Sequence, residues 1–257
     1  MSSPALGVRH VAVVVPAHDE EELLPRCLAA LAAAAREIVL PVSVVVVADS
    51  CSDSTEQLAR SFDPRAFAEL SVLSCGHRSV GAARDLGVRV LIDRCGVDGL
   101  WLATTDADSA VPVGWFSGQL AHAGRGADAV IGTVDVSDWS AHPPAVHRRY
   151  AAHYRSVAGH RHTHGANLSF TARVYRAVGG FPAVSSDEDV ALVQRLGAAG
   201  AAVVWAADIP VTTSSRLHGR APHGFAGFLA RLADSAPEST AGTATDELTE
   251  LVTDVAT

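Results

Sequence analysis

The chain has 257 residues, 48% of them hydrophobic, and carries 28 acidic against 20 basic side chains for a formal net charge of −8. That is enough apolar material for one large α/β domain or two small ones, and the acidic balance argues against a nucleic-acid or anionic-membrane partner, which would favour a basic face. No lysine occurs, so all 20 basic residues are arginine and chemistry that needs a P-loop lysine or a Schiff base is excluded. No apolar run approaches the roughly 18 to 20 residues of a membrane span, and Met1 to Gly7 has no leader pattern, so the expected location is the cytoplasm. Cys27, Cys51, Cys75 and Cys95 lie at least 20 residues apart without a C-x-x-C pair and read as reduced thiols.

His10 to Val15, H-V-A-V-V-V, is a β-branched run that reads as a central parallel strand buried on both faces. It ends at Pro16, and Ala17-His18-Asp19-Glu20-Glu21-Glu22 forms the loop beyond. A helix follows with Pro25 in its first turn and Leu24, Leu28 and Leu31 at helical spacing. Glu20 to Glu22 either complement that helix's dipole or serve as ligands. Val42 to Ala48 is a second apolar strand, closed by Asp49, a ligand candidate at the strand end. Asp53 or Ser54 reads as the N-cap of a helix reaching Ser61.

A third strand, Leu70 to Leu73, leads through Gly76 to Ser79 into a helix ending near Asp93. Its small residues would let a backbone approach a phosphate, and Arg84 either adds a bidentate contact there or lies on a solvated face. The fourth strand, Leu100 to Ala103, runs into Asp106-Ala107-Asp108. Two hard oxygen donors beyond a strand end suit Mg²⁺ or Mn²⁺, although such pairs are often solvated loop acids. Four strand-helix units predict a doubly wound, mostly parallel sheet with helices on both faces.

A helix over Trp115 to Ala123 and a strand over Ala127 to Val134 follow, after which the alternation stops. The segment 138–164 is rich in His, Arg and Tyr, with a helix predicted over Ala145 to Ser156. His160, His162 and His164 alternate, which reads as a loop lining a polar cleft or as a small metal cluster. Gly165 to Phe170 is strand-like, and Thr171 caps a helix that ends at Gly179-Gly180. Ser185 to Asp189 opens another helix with Val190, Leu192, Val193 and Leu196 buried. Its three consecutive acids exceed what one cap needs. A strand over Ala202 to Ala206, a segment Ile209 to Thr213 and a polar loop Ser214 to Arg220 complete the pattern. From about Ala233 the chain is an acidic, Thr/Ala-rich tail.

The motifs V-A-V-V-V-P-A-H-D-E-E, V-V-V-V-A-D-S-C-S-D-S-T, G-A-A-R-D-L-G, T-D-A-D, H-G-A-N-L-S-F-T with V-G-G-F-P, D-E-D-V-A-L-V-Q-R-L and R-L-H-G-R occur in an order that resembles the family 2 glycosyltransferases with the GT-A fold. The resemblance covers about Val11 to Arg220. It implies one GT-A (Rossmann-like) domain over 1–232, with a nucleotide-binding half at about 8–136, a smaller acceptor-side half at about 137–232, and the tail at 233–257. It implies metal-dependent transfer of a sugar from a UDP- or GDP-sugar to a hydroxyl on a small-molecule or lipid-linked acceptor.

By the same resemblance, Pro16, Ala17, Glu20 and Asp49 line the base and ribose, and Arg84 helps hold the nucleotide. Asp108 ligates Mn²⁺ or Mg²⁺ with Asp106 beside it nearer the ribose, His218 adds a third ligand, and Arg216 and Arg220 meet the diphosphate. Asp189 is the general base of an inverting reaction. Two departures stand out: Ala48-Asp49 replaces the two adjacent acids common in relatives, and the chain lacks the membrane helices of processive synthases. A retaining transferase and a non-catalytic sugar-nucleotide-binding protein are the alternatives. A sugar-1-phosphate nucleotidyltransferase fits less well, because the loop after the first strand is acidic rather than Gly-rich and basic.

Overall fold

A computed structural model of the protein describes residues 7–234 apart from 137, 183, 185 and 217–224. The strands are β1 (His10–Ala17), β2 (Val42–Asp49), β3 (Glu69–Cys75), β4 (Leu100–Thr104), β5 (Ala129–Val136), β6 (Leu168–Thr171) and β7 (Val203–Thr213). The helices are α1 (Leu24–Ala35), α2 (Thr55–Ser61), α3 (Val80–Cys95), α4 (Trp115–Gly124), α5 (Pro144–His153), α6 (Ala172–Ala177), α7 (Glu188–Ala198) and α8 (Phe225–Asp234). None of the helices among the described residues is long and apolar enough to cross a membrane.

The strands form a single seven-stranded sheet in the order β3-β2-β1-β4-β6-β5-β7. β1 pairs in parallel with β2 and β4, and β2 with β3, so their C-terminal ends share one edge. β6 runs antiparallel to both β4 and β5, which breaks the strand-helix alternation where the sequence does. β1 and β2 are almost wholly buried because helices cover both sheet faces, which is why their sequences run continuously apolar instead of alternating. On one face Val11, Val13 and Val15 pack with Leu24, Leu28 and Leu31 of α1 and with Trp115 and Phe116 of α4. On the other, Ala12 and Val14 pack with Ala83, Val88 and Leu91 of α3 and with Leu192 and Leu196 of α7.

A third, smaller core joins Val134 to Val146, Tyr150 and Tyr154 of the α5 region and to Phe228, Leu229 and Leu232 of α8. This is the smaller subregion expected beside the main sheet. α8 was not anticipated from the sequence, although Phe225, Phe228, Leu229 and Leu232 fall on one helical stripe. It extends through Asp234, past the expected domain end at residue 232, and the rest of the expected acidic tail lies outside the described residues. The two segments expected between Ala202 and Thr213 are one strand, whose pairing with β5 slips between Gly132 and Val134.

Asn167 fastens that irregularity. Its Nδ2 donates to the carbonyls of Thr133 and Ile209, both at 2.8 Å, and its Oδ1 accepts from Trp115 Nε1 at 2.9 Å. Gly132 makes the approach possible, since a Cβ there would lie 2.1 Å from Asn167 Nδ2. Replacing Asn167 by Ala strands buried partners on two strands and on α4, and should cost about 3 kcal/mol in urea unfolding. Thr133→Val removes a buried hydroxyl that has no partner among the described residues and should be close to neutral in the same assay. Equal losses in the two variants would contradict this account.

Candidate active site

The loops leaving the shared edge of β1, β2 and β4 are held by their own side chains. The Asp19 carboxylate accepts from Ser52 N at 2.6 Å and Asp53 N at 3.3 Å, while Asp53 accepts from Glu21 N at 3.0 Å and Thr55 N at 2.9 Å. Glu20 N donates to Thr55 Oγ1 at 2.7 Å. The loop after β1 is thereby stapled to the loop after β2. Asp19, Cys51 and Asp53 are the only three potential ligands among the described residues whose donor atoms lie within 4.8 Å of one another, but their carboxylates already serve these backbone groups. Asp53 caps Thr55 N as expected, with Ser54 at the N-cap position.

Asp19, Ser50 and Arg78, in the loops that follow β1, β2 and β3, have positive φ, as does Asp187 at the start of α7. Strain of this kind costs of order 1–3 kcal/mol per residue and persists where surrounding bonds over-determine the backbone. Asp49 supplies some of those bonds. It is buried, and its two oxygens accept from Arg78 N and Ser79 N, both at 2.9 Å, with Ser50 Oγ at 3.0 Å. Burial works against its charged form, but the N–H groups of Arg78 and Ser79 outweigh it and hold the carboxyl below its usual range.

Arg84 lies on the buried side of α3, only 4% exposed. One guanidinium nitrogen pairs with Glu188 at the start of α7, and the other donates to Asp106 Oδ1 at 2.5 Å. Gly165 gives the guanidinium room, since a Cβ there would sit 2.3 Å from Arg84 Cζ, and Gly81 does the same for the Glu188 side chain. Asp189, next along α7, accepts from Gly165 N at 2.6 Å and Val190 N at 2.8 Å. Burial raises the carboxyls of Asp106, Glu188 and Asp189 against the pull of Arg84. Arg84 itself is held more firmly charged than usual: burial opposes its charge, but Asp106, Glu188 and Asp189 outweigh that.

A second arginine closes the opposite side. Arg216, just beyond β7, donates through Nη2 to both oxygens of Glu20 at 2.9 Å and lies 2.9 Å from Asp108 Oδ2. Its Nε donates to Ser214 Oγ at 3.1 Å, and Ser214 Oγ donates to Asp108 Oδ2 at 2.6 Å. Asp108 Oδ1 accepts from Ser109 Oγ at 3.1 Å. Cys27, buried below, directs its thiol to the Asp106 carbonyl at 3.4 Å. Burial first, then the charges of Asp108, Asp106 and Glu20, keep that thiol protonated.

The structure therefore gathers Arg84, Asp106 and Glu188 into one ion-pair set and Arg216, Glu20 and Asp108 into another, with Asp189 next to Glu188 on α7 and Pro16, Ala17 and Asp49 at the ends of the adjoining strands. His218 and Arg220 lie outside the described residues. Several sequence expectations need correcting. Arg84 does not lie on a solvated face: it is buried, with its two terminal nitrogens on Asp106 and Glu188. The acids before α1 do not serve its dipole, since the first turn of α1 contains none: Glu20 pairs with Arg216, and Glu21 accepts from Ser54 N at 3.0 Å. Glu188 was missed as an individual residue, although the run Asp187-Glu188-Asp189 signalled more acids than a cap requires.

The three histidines do not line a cleft. His160, His162 and His164 are buried and stack in sequence, with His162 4.1 Å from the Tyr154 ring and His164 Nε2 2.9 Å from Tyr154 Oη. Burial, with the neighbouring imidazoles, pushes His162 down to about 4 and His164 down to about 3, so the stack is neutral.

The donor chemistry fits a divalent cation. Asp106 and Asp108 place hard carboxylate oxygens on the cleft side of β4, with side chains 34% and 18% exposed, and one or two carboxylates are what Mg²⁺ or Mn²⁺ takes when phosphates complete its shell. The profile of glycosyl transferase family 2 matches residues 12–178. No curated protein matches the chain in sequence. Among solved structures, TarS 1-349 from S. aureus in complex with UDP-GlcNAc superposes with a TM-score of 0.61 at 15% identity, covering 88% of this chain and 68% of that one. The mannosyltransferase PcManGT from Pyrobaculum calidifontis, in complex with GDP-Man and Mn²⁺, gives 0.62 at 19% identity over 90% of this chain and 66% of that one. GalNAc-T7 with UDP, GalNAc and Mn²⁺ gives 0.59 at 14% identity over 91% and 46%. Against the crystal structure of TarS 1-349 without ligand the chain spans 60% of that protein's length. The shared architecture is the GT-A fold, a single α/β domain.

Arg84→Gln leaves Asp106 and Glu188 without their counter-ion, and breaking such a buried pair costs about 3–5 kcal/mol. Carboxyls raised in the folded state lend stability below their unfolded range near pH 4 and lose it as pH rises through the folded values; removing Arg84 raises them further. The stability deficit of Arg84→Gln relative to wild type should thus be large at pH 8 and shrink toward pH 5 in urea unfolding. A deficit independent of pH would contradict the ion-pair assignment.

Proposed function

The chain belongs to glycosyl transferase family 2, and from that premise we propose that it transfers a sugar from a nucleotide-diphosphate sugar to a hydroxyl acceptor, with inversion and with the aid of a divalent cation. The observation that carries this reading is the joining of Asp106, beside Asp108, to Glu188 through Arg84, with Asp189 next to Glu188 on α7 and held by Gly165 N, which would bring a leaving-group side and a base side to one cleft. The domain corresponds to about 1–232, with its nucleotide half at about 8–136, and the setting is cytoplasmic.

Asp108, with Asp106 beside it, would hold Mn²⁺ or Mg²⁺, which when bound neutralises charge developing on a departing diphosphate. His218 is assigned to the same cation. Pro16, Ala17, Glu20 and Asp49 line the base and ribose of a UDP- or GDP-sugar. Arg216 and Arg220 bind the diphosphate, where bidentate guanidinium contacts suit phosphate oxygens. Asp189 takes the proton from the acceptor hydroxyl as it attacks from the face opposite the leaving group. Two hydrogen bonds, from Gly165 N and Val190 N, fix the direction of that carboxylate. Its raised pKa, caused by burial, makes it a better proton acceptor than a solvated aspartate. The acceptor is a small or lipid-linked hydroxyl compound.

Asp189→Asn should lower kcat by about 10²- to 10⁴-fold, the usual contribution of a positioned base, while thermal stabilisation by nucleotide and Mn²⁺ stays near that of wild type. Undiminished transfer by Asp189→Asn would remove it from the base role. Asp108→Ala should abolish the Mn²⁺-dependent part of the thermal shift given by UDP or GDP. A shift that survives in Asp108→Ala would place the cation elsewhere.

A further inference from the structure

We infer that Arg216 is the resident counter-ion of the cation site, occupying Asp108 when no nucleotide is bound and leaving it for the diphosphate when the cation arrives. The inference rests on the reading of Asp108 as a cation ligand. It assigns to Arg216 a coupling role beyond contact with phosphate.

The geometry is specific to one oxygen. Asp108 Oδ2 lies 2.9 Å from Arg216 Nη2 and accepts from Ser214 Oγ at 2.6 Å, so the atom that faces the loop after β7 already carries two donors. The same Nη2 is 2.9 Å from both oxygens of Glu20, which is anchored through its own N–H to Thr55 Oγ1. The Arg216 side chain is 21% exposed and those of Glu20 and Asp108 are 11% and 18% exposed, so these charges interact with less screening than a surface pair. A divalent cation and a guanidinium cannot share Asp108 Oδ2 without strong repulsion at ion-pair distance.

Cation binding through Oδ2 therefore requires Arg216 to move, and an anion that attracts Arg216 assists it. A nucleoside diphosphate supplies that anion. Its phosphates accept the guanidinium and complete the cation's shell, so the two ligands bind cooperatively. Because coupling is reciprocal, the cation must tighten nucleotide binding by the same factor. Glu20 gives Arg216 a second anchor that persists while Asp108 changes partner.

The test is Mn²⁺ titration followed by the EPR signal of free Mn²⁺, with wild type, Arg216→Gln and Arg216→Lys, each without nucleotide and with saturating UDP, GDP, CDP or dTDP. Arg216→Gln should bind Mn²⁺ alone about tenfold more tightly than wild type, and nucleotide should add much less to that affinity than it adds in wild type. Arg216→Lys, which keeps the charge, should stay close to wild type. Asp108→Ala in the Arg216→Gln background should lose the gain. If wild type takes up Mn²⁺ with a nucleotide but Arg216→Gln binds Mn²⁺ alone no more tightly, the counter-ion role is wrong and the metal-dependent reading stands. If wild type binds no Mn²⁺ with any of the four nucleotides, that reading fails and the inference fails with it.

Discussion

A guanidinium that is 4% exposed cannot remain charged inside a protein without partners, and Arg84 meets that requirement with Asp106 and Glu188. Much of the site follows from satisfying it. The partners come from distant parts of the chain, Asp106 from beyond β4 and Glu188 from the first turn of α7, so the pair ties the loop after β4 to the later half. Gly165 and Gly81 leave the space the two side chains need, and Gly165 N then orients Asp189. One buried cation thus fixes the loop after β4 and the start of α7 relative to each other.

Arg216 repeats the device at the other side with a different consequence. Arg84 is sealed in, whereas Arg216 stands at the edge of the cleft, partly exposed, on a loop that follows β7. Both arginines neutralise pairs of acids, but only the outer one shares its acid with the expected cation. A sealed pair gives a rigid frame, and an edge pair can exchange partners. The acidic character of the whole chain makes such internal neutralisation necessary where Glu20, Asp106, Asp108 and Asp189 converge.

The parallel half of the sheet was legible because its strands are buried on both faces: H-V-A-V-V-V and V-S-V-V-V-V-A read as central strands for that reason. Asp106, Asp108, Glu20 and Asp189 were legible as acids at strand ends or in excess of capping needs. The solvated reading of Arg84 fails, although a charged residue on a helix is ordinarily exposed. The signal against that was present: Arg84, Gly87, Val88 and Leu91 form the buried stripe of α3 at helical spacing. The histidines escaped because their burial depends on Tyr150 and Tyr154 of the α5 region, contacts that alternation along one segment cannot reveal. The single strand β7 was divided because its pairing slips opposite Asn167, where Asp208 and Pro210 interrupt the apolar run.

The most direct test of the account is a crystal structure of the protein with Mn²⁺ and the nucleoside diphosphate it binds, the metal located by its anomalous signal. The account predicts Mn²⁺ on Asp108, the diphosphate between it and Arg216, and Arg84 still joined to Asp106 and Glu188. Mn²⁺ held instead by Asp19 and Asp53, or Arg84 turned out of its pair to contact the nucleotide, would contradict it.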